Sequence, residues 1–292
     1  MPLIQQPTLE KIDPVFGSSF SYRTYLPNAN QRKDSFWHYH PEIELVYVNG
    51  GSGKRQIGSH ISYFRNGDLI LIGSNLPHCA FTDSLTEHKC ETVIQLKPDF
   101  LGNDFFGITE MKGIRNLLNM AQKGIVYHGN TKRRIGKEIE GLAKKESFEK
   151  LIVLLKILRD LETAENHTVL NAQGFVLETN LQDNNRINII FNFVKEEFKR
   201  PISLDEISEK VSMTNPAFCR YFKKITGKTF TKFVNEYRLA HAAKLLHEEQ
   251  IGITDVCYES GFNNFSHFSK EFRKFTGKSP SVYRNELKYM MT

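Results

Sequence analysis

The sequence predicts a multidomain α and β protein: a β-barrel or jelly roll at the amino end, a helical connector, and an all-α carboxy-terminal region made of a tandem helical unit. Three observations predict it. Between about residues 15 and 100, short apolar runs alternate with glycine-containing turns, the pattern of a barrel or double-sheet jelly roll. From 101 to 182 the apolar residues recur at helical spacing. Near the carboxy end one phrase occurs twice: Phe222-Lys223-Lys224-Ile225-Thr226-Gly227-Lys228 returns fifty positions later as Phe272-Arg273-Lys274-Phe275-Thr276-Gly277-Lys278. Two copies are too few for a solenoid, so one small module is duplicated. The expected domains are 1–100, 101–182 and 183–292.

In the first, Ile43, Leu45 and Tyr47 alternate with Glu44, Val46 and Val48; both sets are partly apolar, so both faces of this strand are expected to be covered. Gly50-Gly51-Ser52-Gly53 reads as a reversal of the chain. Strands follow over 54–57 and 61–64, with a turn at Arg65-Asn66-Gly67-Asp68 before the apolar run 69–73. Pro77-His78 leads to a last strand near 90–95.

In the connector, Ile114, Leu117, Leu118 and Ala121 share a helical face, as do Ile135, Ile139 and Leu142. The most apolar helix carries the stripe Leu151, Leu154, Leu155, Leu158 and Leu161, which reads first as packing against the barrel and second as a dimer seam. The polar stretch 164–184 reads as an interdomain linker, with a short packed piece at 175–177 as the alternative. A helix near 187–198 then opens the last domain.

Each copy of the module reads as a helix-turn-helix. In the first, Leu204, Ile207 and Val211 share a face, and Ser203 with Glu206 forms a capping box. Ser212-Met213-Thr214 is the turn, Thr214 caps a second helix, Phe218, Phe222 and Ile225 are its buried face, and Gly227 ends it. In the second, Thr254 is the expected cap, Gly261 the turn, and Asn263 or Asn264 the next cap; Phe265, Phe268, Phe272 and Phe275 follow, and Gly277 closes the helix. Residues 183–292 hold 18 Lys+Arg against 13 Asp+Glu, net +5 of the chain's +6. A basic balance concentrated in a duplicated helical frame points to nucleic acid rather than to a solvated bundle.

Residues 183–292 resemble the double helix-turn-helix domain of the AraC/XylS family of transcription regulators. The second copy carries the resemblance most fully, in Ile253-Thr254-Asp255-Val256, Gly261-Phe262, Phe265-Ser266-His267-Phe268-Ser269-Lys270, Phe272, Gly277, Pro280 and Tyr283-Arg284. Arg238-Leu239, Ala242 and Leu245-Leu246 fit the long helix that joins the motifs in that family; Ser212 departs from it where many such turns use glycine. The resemblance implies that Pro216, Cys219 and Arg220 on the first recognition helix, and Phe265, Ser266, His267 and Lys270 on the second, face base edges. Arg220 suits guanine, since a guanidinium pairs with O6 and N7 together. Phe265 reads equally as a core residue, and Cys219 reads first as a small packing residue and second as a base contact. Lys223, Lys224, Lys228, Arg273, Lys274 and Lys278 are the phosphate candidates, which fix register without reading sequence.

The amino-terminal part resembles the cupin barrel. His38-Tyr39-His40, Glu44 and Gly51 fit the spacing of its first motif. Gly67 and His78 fit the second, although Gly73 and Asn75 stand where the fuller pattern has proline and glycine. The resemblance implies a cavity in which Trp37, His38, His40, Glu44 and His78 meet a small-molecule effector, a sugar among the candidates. The same His38, His40, Glu44 and His78 would ligate a divalent metal, or remain as hydrogen-bonded barrel residues with no cofactor required. Glu42 and Glu44 have opposite facings, so at most one is expected to point inward.

Hydrophobic content of 40% and charged content of 25% are those of a globular protein, and no stretch reaches the ~18 apolar residues of a membrane span. The start lacks a basic and an apolar targeting segment, and Cys79, Cys90, Cys219 and Cys257 form no CxxC pair, so a reduced cytoplasmic setting is expected. The sequence thus points to a cytoplasmic regulator, not an enzyme, with operator DNA, a small-molecule effector, a second copy of itself and RNA polymerase as partners. The competing readings are a metal-dependent cupin enzyme fused to a DNA-binding module, and a regulator whose barrel is structural.

Overall fold

The computed structural model describes residues 8–9, 19–26, 37–79, 86–102, 104–171, 181–248 and 251–290. The chain forms two units, one holding most of residues 7–175 and the other residues 176–292.

The first unit is a ten-stranded sheet backed by helices. Its spine is β4 (Ile43–Ile57), the longest strand. Strands β6 (Asp68–Ile72) and β8 (Thr86–Leu96) flank its first half in antiparallel register, with Leu45 opposite both Leu71 and Ile94. Beyond β8 lies β2 (Phe20–Tyr25); beyond β6 lie β9 (Ile125–Tyr127) and β10 (His167–Val169). The far end of β4 pairs with β5 (His60–Arg65) and, at Ile57, with β7 (His78–Cys79). Strand β7 in turn pairs with β3 (Trp37–Tyr39), and β1 (Thr8–Leu9) joins β3 in parallel.

Among the described residues these ladders do not close on themselves. The sheet is open and branched at β4, so the closed barrel or jelly roll expected from the strand pattern is not formed by its hydrogen bonds. The expected reversal at Gly50-Gly51-Ser52-Gly53 is also absent. Strand β4 runs straight through it, and Gly50 and Gly51, both at positive φ, instead host a shift of register against β8. Such a bulge bends and twists a strand without ending it. The chain reverses one stretch later, at 58–59.

Both faces of β4 are covered, as its sequence predicts. On one face Ile43, Leu45, Tyr47, Leu69, Leu71, Ile94 and Leu96 form a core with three helices. These are α1 (Lys112–Ala121), α2 (Gly129–Gly141) and α3 (Ser147–Glu162). All seven apolar positions expected of α1 and the Ile135–Leu142 segment are buried. In α3 the buried set is Leu154, Ile157, Leu158 and Leu161; Leu151 and Leu155 are only half-buried, and Phe148 and Ile152 face outward at 74% and 49% exposure.

The polar stretch after α3 is not all linker. Its residues 167–169 are the edge strand β10, and Asn171 is buried behind it. Asn171 Oδ1 accepts from the Ser59 amide and hydroxyl, both at 3.1 Å, while Nδ2 donates to the carbonyls of Ile57 and Lys123 at 3.1 and 3.0 Å. Every hydrogen-bonding position of the amide is filled, which is how a polar residue tolerates burial. The alternative packed piece at 175–177 lies outside the described residues.

The second unit is all helical: α4 (Leu181–Glu197), α5 (Leu204–Lys210), α6 (Asn215–Thr226), α7 (Phe230–Glu248), α8 (Ile253–Glu259), α9 (Phe265–Thr276) and α10 (Pro280–Met290). Ile187, Ile190, Phe191, Val194 and Phe198 are buried, as their spacing predicts. Phe191 stacks on Phe233 at 4.7 Å between ring centroids and meets Phe222 edge-on, which seats α4 on α6 and α7. A second core joins Leu239, Ala242, Leu246, Val256, Phe268 and Phe272.

Candidate nucleic-acid interface and a buried histidine cluster

Each recognition helix is built to bury one face and expose the other. In α6, Phe218 and Phe222 are fully buried, and Gly227 ends the helix at φ 70°. In α9, Phe268 and Phe272 take the same places and Gly277 stands at φ 79°. Thr226 and Thr276 repeat one cap: each hydroxyl donates to the carbonyl four residues back, at 2.7 and 2.8 Å, and accepts from the amide two residues on. The shared Thr-Gly-Lys has produced the same terminus twice.

The starts differ. Ser203 caps α5 as expected, accepting from the Glu206 amide at 3.1 Å. The Glu206 carboxylate pairs with Arg200, which lowers its pKa. Thr214 occupies the cap position of α6 without a side-chain cap bond. The anchor there is Asn215, whose amide reaches Asp205 at 2.6 Å and accepts from Ser208 at 2.5 Å. In the second copy Gly252, not Thr254, precedes α8; the Asp255 carboxylate turns back to its amide at 3.2 Å, so an acid inside the first turn caps the helix. Asn264 caps α9, accepting from His267 N at 2.8 Å.

The structure leaves the expected base-reading residues outward. Pro216, Cys219 and Arg220 are exposed on α6, and Phe265, Ser266, His267 and Lys270 on α9. Phe265 is 41% exposed, too open for a core residue. Lys223, Lys224, Arg273, Lys274 and Lys278 are exposed as well. Lys228 differs: it is half-buried and its ammonium lies 2.6 Å from Glu236. Lys274 pairs with Glu271 at 2.7 Å and holds that carboxyl below its ordinary range. The hollow beside α6 is bordered by Asp205 and Glu209; the one beside α9 by Lys270, Arg273 and Lys274. Of the two hollows, the one beside the second motif is the more cationic.

On the sheet face opposite the helices, His38, His40, Glu44 and His78 come together, each at most 5% exposed. Register explains it. His38 pairs with His78 across β3 and β7, and Glu44 lies opposite Gln95 across β4 and β8. The ligating nitrogens of the three histidines lie within 4.8 Å of one another. Glu44 Oε2 is 3.1 Å from His40 Nε2 and accepts from Gln95 Nε2 at 2.7 Å; its Oε1 is 3.6 Å from His78 Nε2. Burial would raise the Glu44 carboxyl, but hydrogen bonds and charge from His40 and His78 outweigh it and hold it well below the usual carboxylate range.

These donors fit a divalent cation. His78 Nδ1 is 2.8 Å from the Leu76 carbonyl, which orients the ring and turns Nε2, 3.6 Å from Glu44 Oε1, into the cluster. His40 Nδ1 is 3.2 Å from the Glu42 carbonyl. With its proton so placed, the His40 Nε2 lone pair faces a carboxylate oxygen, and a shared proton or a metal ion must lie between them. Mixed imidazole and carboxylate ligation suits Zn, Fe, Mn or Ni. Ser21, whose hydroxyl donates to Gln95 Oε1 at 3.1 Å, extends the network.

Sequence reasoning missed Gln95, Ser21 and Glu42. Gln95 was visible as a polar residue inside an apolar strand. Glu42 is buried beside Glu44, with Oε2 3.7 Å from His40 Nδ1. The expectation that at most one of the two points inward is therefore corrected: residues two apart on an extended chain share a face, and both carboxylates are buried. Trp37 sits on β3 opposite Cys79, and its side chain lies outside the described residues.

Comparison with known proteins bears on the helical unit. Residues 207–286 match a family described as a helix-turn-helix domain. Over 266 residues the chain is 22% identical to YdeC, an uncharacterized HTH-type transcriptional regulator of Bacillus subtilis, spanning 89% of this chain and 90% of that one. Over 281 residues it is 25% identical to the HTH-type transcriptional activator RhaS of Escherichia coli O1:K1, spanning 93% and 94%. A solved structure of a probable AraC family transcriptional regulator from Rhodopseudomonas palustris aligns with 35% of this chain and 97% of its own, at 22% identity and a TM-score of 0.34.

Proposed function

Since the carboxy-terminal region is a helix-turn-helix domain of the AraC/XylS type, we propose that this protein is a transcription regulator that reads an operator with α6 and α9 under the control of a small molecule. The observation that carries the reading is the pair of recognition helices, each with its phenylalanines buried and a row of cations and polar groups exposed. To read one face of a duplex, the two helices are expected to lie about one turn apart, roughly 34 Å. Arg220 and Lys270 supply base contacts worth ~1–3 kcal/mol of discrimination each. Lys223, Lys224, Arg273, Lys274 and Lys278 hold phosphates.

The effector site is the buried face of the sheet where His38, His40, Glu44 and His78 come together. A small molecule that prefers one arrangement of that unit shifts the population competent for DNA, and so the access of RNA polymerase. When a divalent metal is bound, His38, His40, His78 and Glu44 would hold it, and it would supply a Lewis-acidic anchor for an oxygen of the effector. Gln95 fixes the Glu44 carboxylate, and the Leu76 and Glu42 carbonyls fix the ring tautomers. A second copy pairs through α3, whose exposed Phe148 and Ile152 support that face.

The test is to sequence duplexes retained by the pure protein, with and without candidate carbohydrates, in metal-loaded and chelated samples. Enrichment of one motif, weakened by Arg220→Ala and by Lys270→Ala, is the expected outcome. Retention of random fragments alone, unchanged by both substitutions, would reject the placement of the reading faces.

A further inference from the structure

When two recognition helices grip one duplex, the second contact is intramolecular, and its strength depends on how firmly the spacing is held. The segment Phe198 to Arg200, just after α4, lies where that spacing is set. Toward the first motif, Arg200 Nη2 and Nη1 lie 2.5 and 2.9 Å from the two oxygens of Glu206 on α5. Toward the second, Lys199 Nζ is 3.7 Å from Glu259 at the end of α8. Gly261, at φ 83°, backs onto the same segment: a Cβ there would stand 2.7 Å from the Phe198 carbonyl oxygen and 2.8 Å from that of Lys199.

The two ion pairs are exposed, and such pairs hold little. The firm connection is Arg238, half-buried in the middle of α7. Its Nε donates to the Phe198 carbonyl at 2.7 Å and its Nη2 to the Arg200 carbonyl at 2.8 Å. Those carbonyls follow a helix end, where intrahelical donors have run out. The guanidinium also lies 5.9 Å from the ring of Phe262, the residue after Gly261. One planar fork thus ties the end of α4, the connecting helix and the second turn together; an ammonium, as a point donor, does not span both carbonyls with the same geometry.

We infer that Arg238 is a positioning residue for DNA reading: it fixes the second recognition helix relative to the first and touches no DNA itself. This rests on the reading that α6 and α9 share one duplex. The test uses a duplex selected by the full wild-type chain, plus two derivatives in which either half of the selected site is scrambled. Wild type, Arg238→Met, Arg238→Lys and Gly261→Ala are titrated with each by fluorescence anisotropy. Arg238→Met is expected to weaken binding to the intact duplex by about tenfold or more, by loss of effective concentration, while binding to either half-scrambled duplex changes by less than about twofold. Arg238→Lys should recover part of the loss, and Gly261→Ala should reproduce it. If Arg238→Met does not fold, Arg238→Lys carries the same comparison with a smaller expected loss. Equal losses on intact and scrambled duplexes, or no loss on either, overturn the inference. Failure of the wild type to select any sequence overturns the DNA reading itself and the inference with it.

Discussion

The two helix-turn-helix motifs reach the same shape by different means. The first turn is held by side chains: Ser212 takes φ 55° despite its Cβ, and Asn215 is locked between Asp205 and Ser208. At the second, Gly261 takes φ 83° without strain, and the Asn264 side chain caps the helix that follows. Their outer faces differ too, with acids beside α6 and cations beside α9. The difference teaches that duplication preserves the core and the helix end, where packing leaves few solutions, and releases the turn and the outer face.

The largest test of this comparison lies in the core. Phe222 meets the rings of Phe191, Phe218, Phe230 and Phe233, whereas Phe272 meets those of Phe268 and Tyr283. Phe222→Ala should cost about 4–5 kcal/mol and Phe272→Ala about 3 kcal/mol in urea unfolding; the reverse order would mean that the first core is not the better packed. Next come the anchors. Asn215→Ala strands Ser208 and Asp205 and should cost about 2 kcal/mol, against about 1 kcal/mol for the cap lost in Asn264→Ala. Ser212→Gly should stabilise by up to about 1 kcal/mol, since only a β-carbon makes that φ costly; a drop in melting temperature would show that the serine hydroxyl matters more than its strain. The smallest effect is electrostatic. Arg273→Gln should lower the salt slope of DNA binding by about one, a threefold to fourfold change in affinity between 50 and 200 mM salt, whereas Lys228→Gln, already neutralised by Glu236, should leave the slope unchanged.

What could be read from the sequence was whatever a single local rule decides. The phenylalanine spacing, Gly227 and Gly277, the Asn66-Gly67 turn and the faces of α1 and α4 each follow from sterics or periodicity within a few residues. The histidine cluster was legible through the resemblance of its spacing to the cupin motifs, and register across β3 and β7 brings His38 to His78. The misses were decided by partners distant in sequence. Gly50 and Gly51 look like a reversal, but β8 pairs across them and turns the flexibility into a bulge. Residues 167–171 look like a linker, but β9 pairs with 167–169 and Ser59 donates its amide and hydroxyl to Asn171. Gly252 gave no cap signal because the capping atom belongs to Asp255.

The turns also differ in length by one residue. Ser212 and Gly261 are 49 apart, while α6 and α9 are 50 apart. Anyone grafting one motif onto the other by the fifty-residue rule, with the splice placed in the leading helix, would add or lose that residue. Each residue advances an α-helix by about 100°, so such a chimera would rotate Arg220 or Lys270 away from the groove and turn phenylalanine toward it. Under the fifty-residue rule, motif swaps in this protein keep their register only when the splice lies inside the recognition helices themselves.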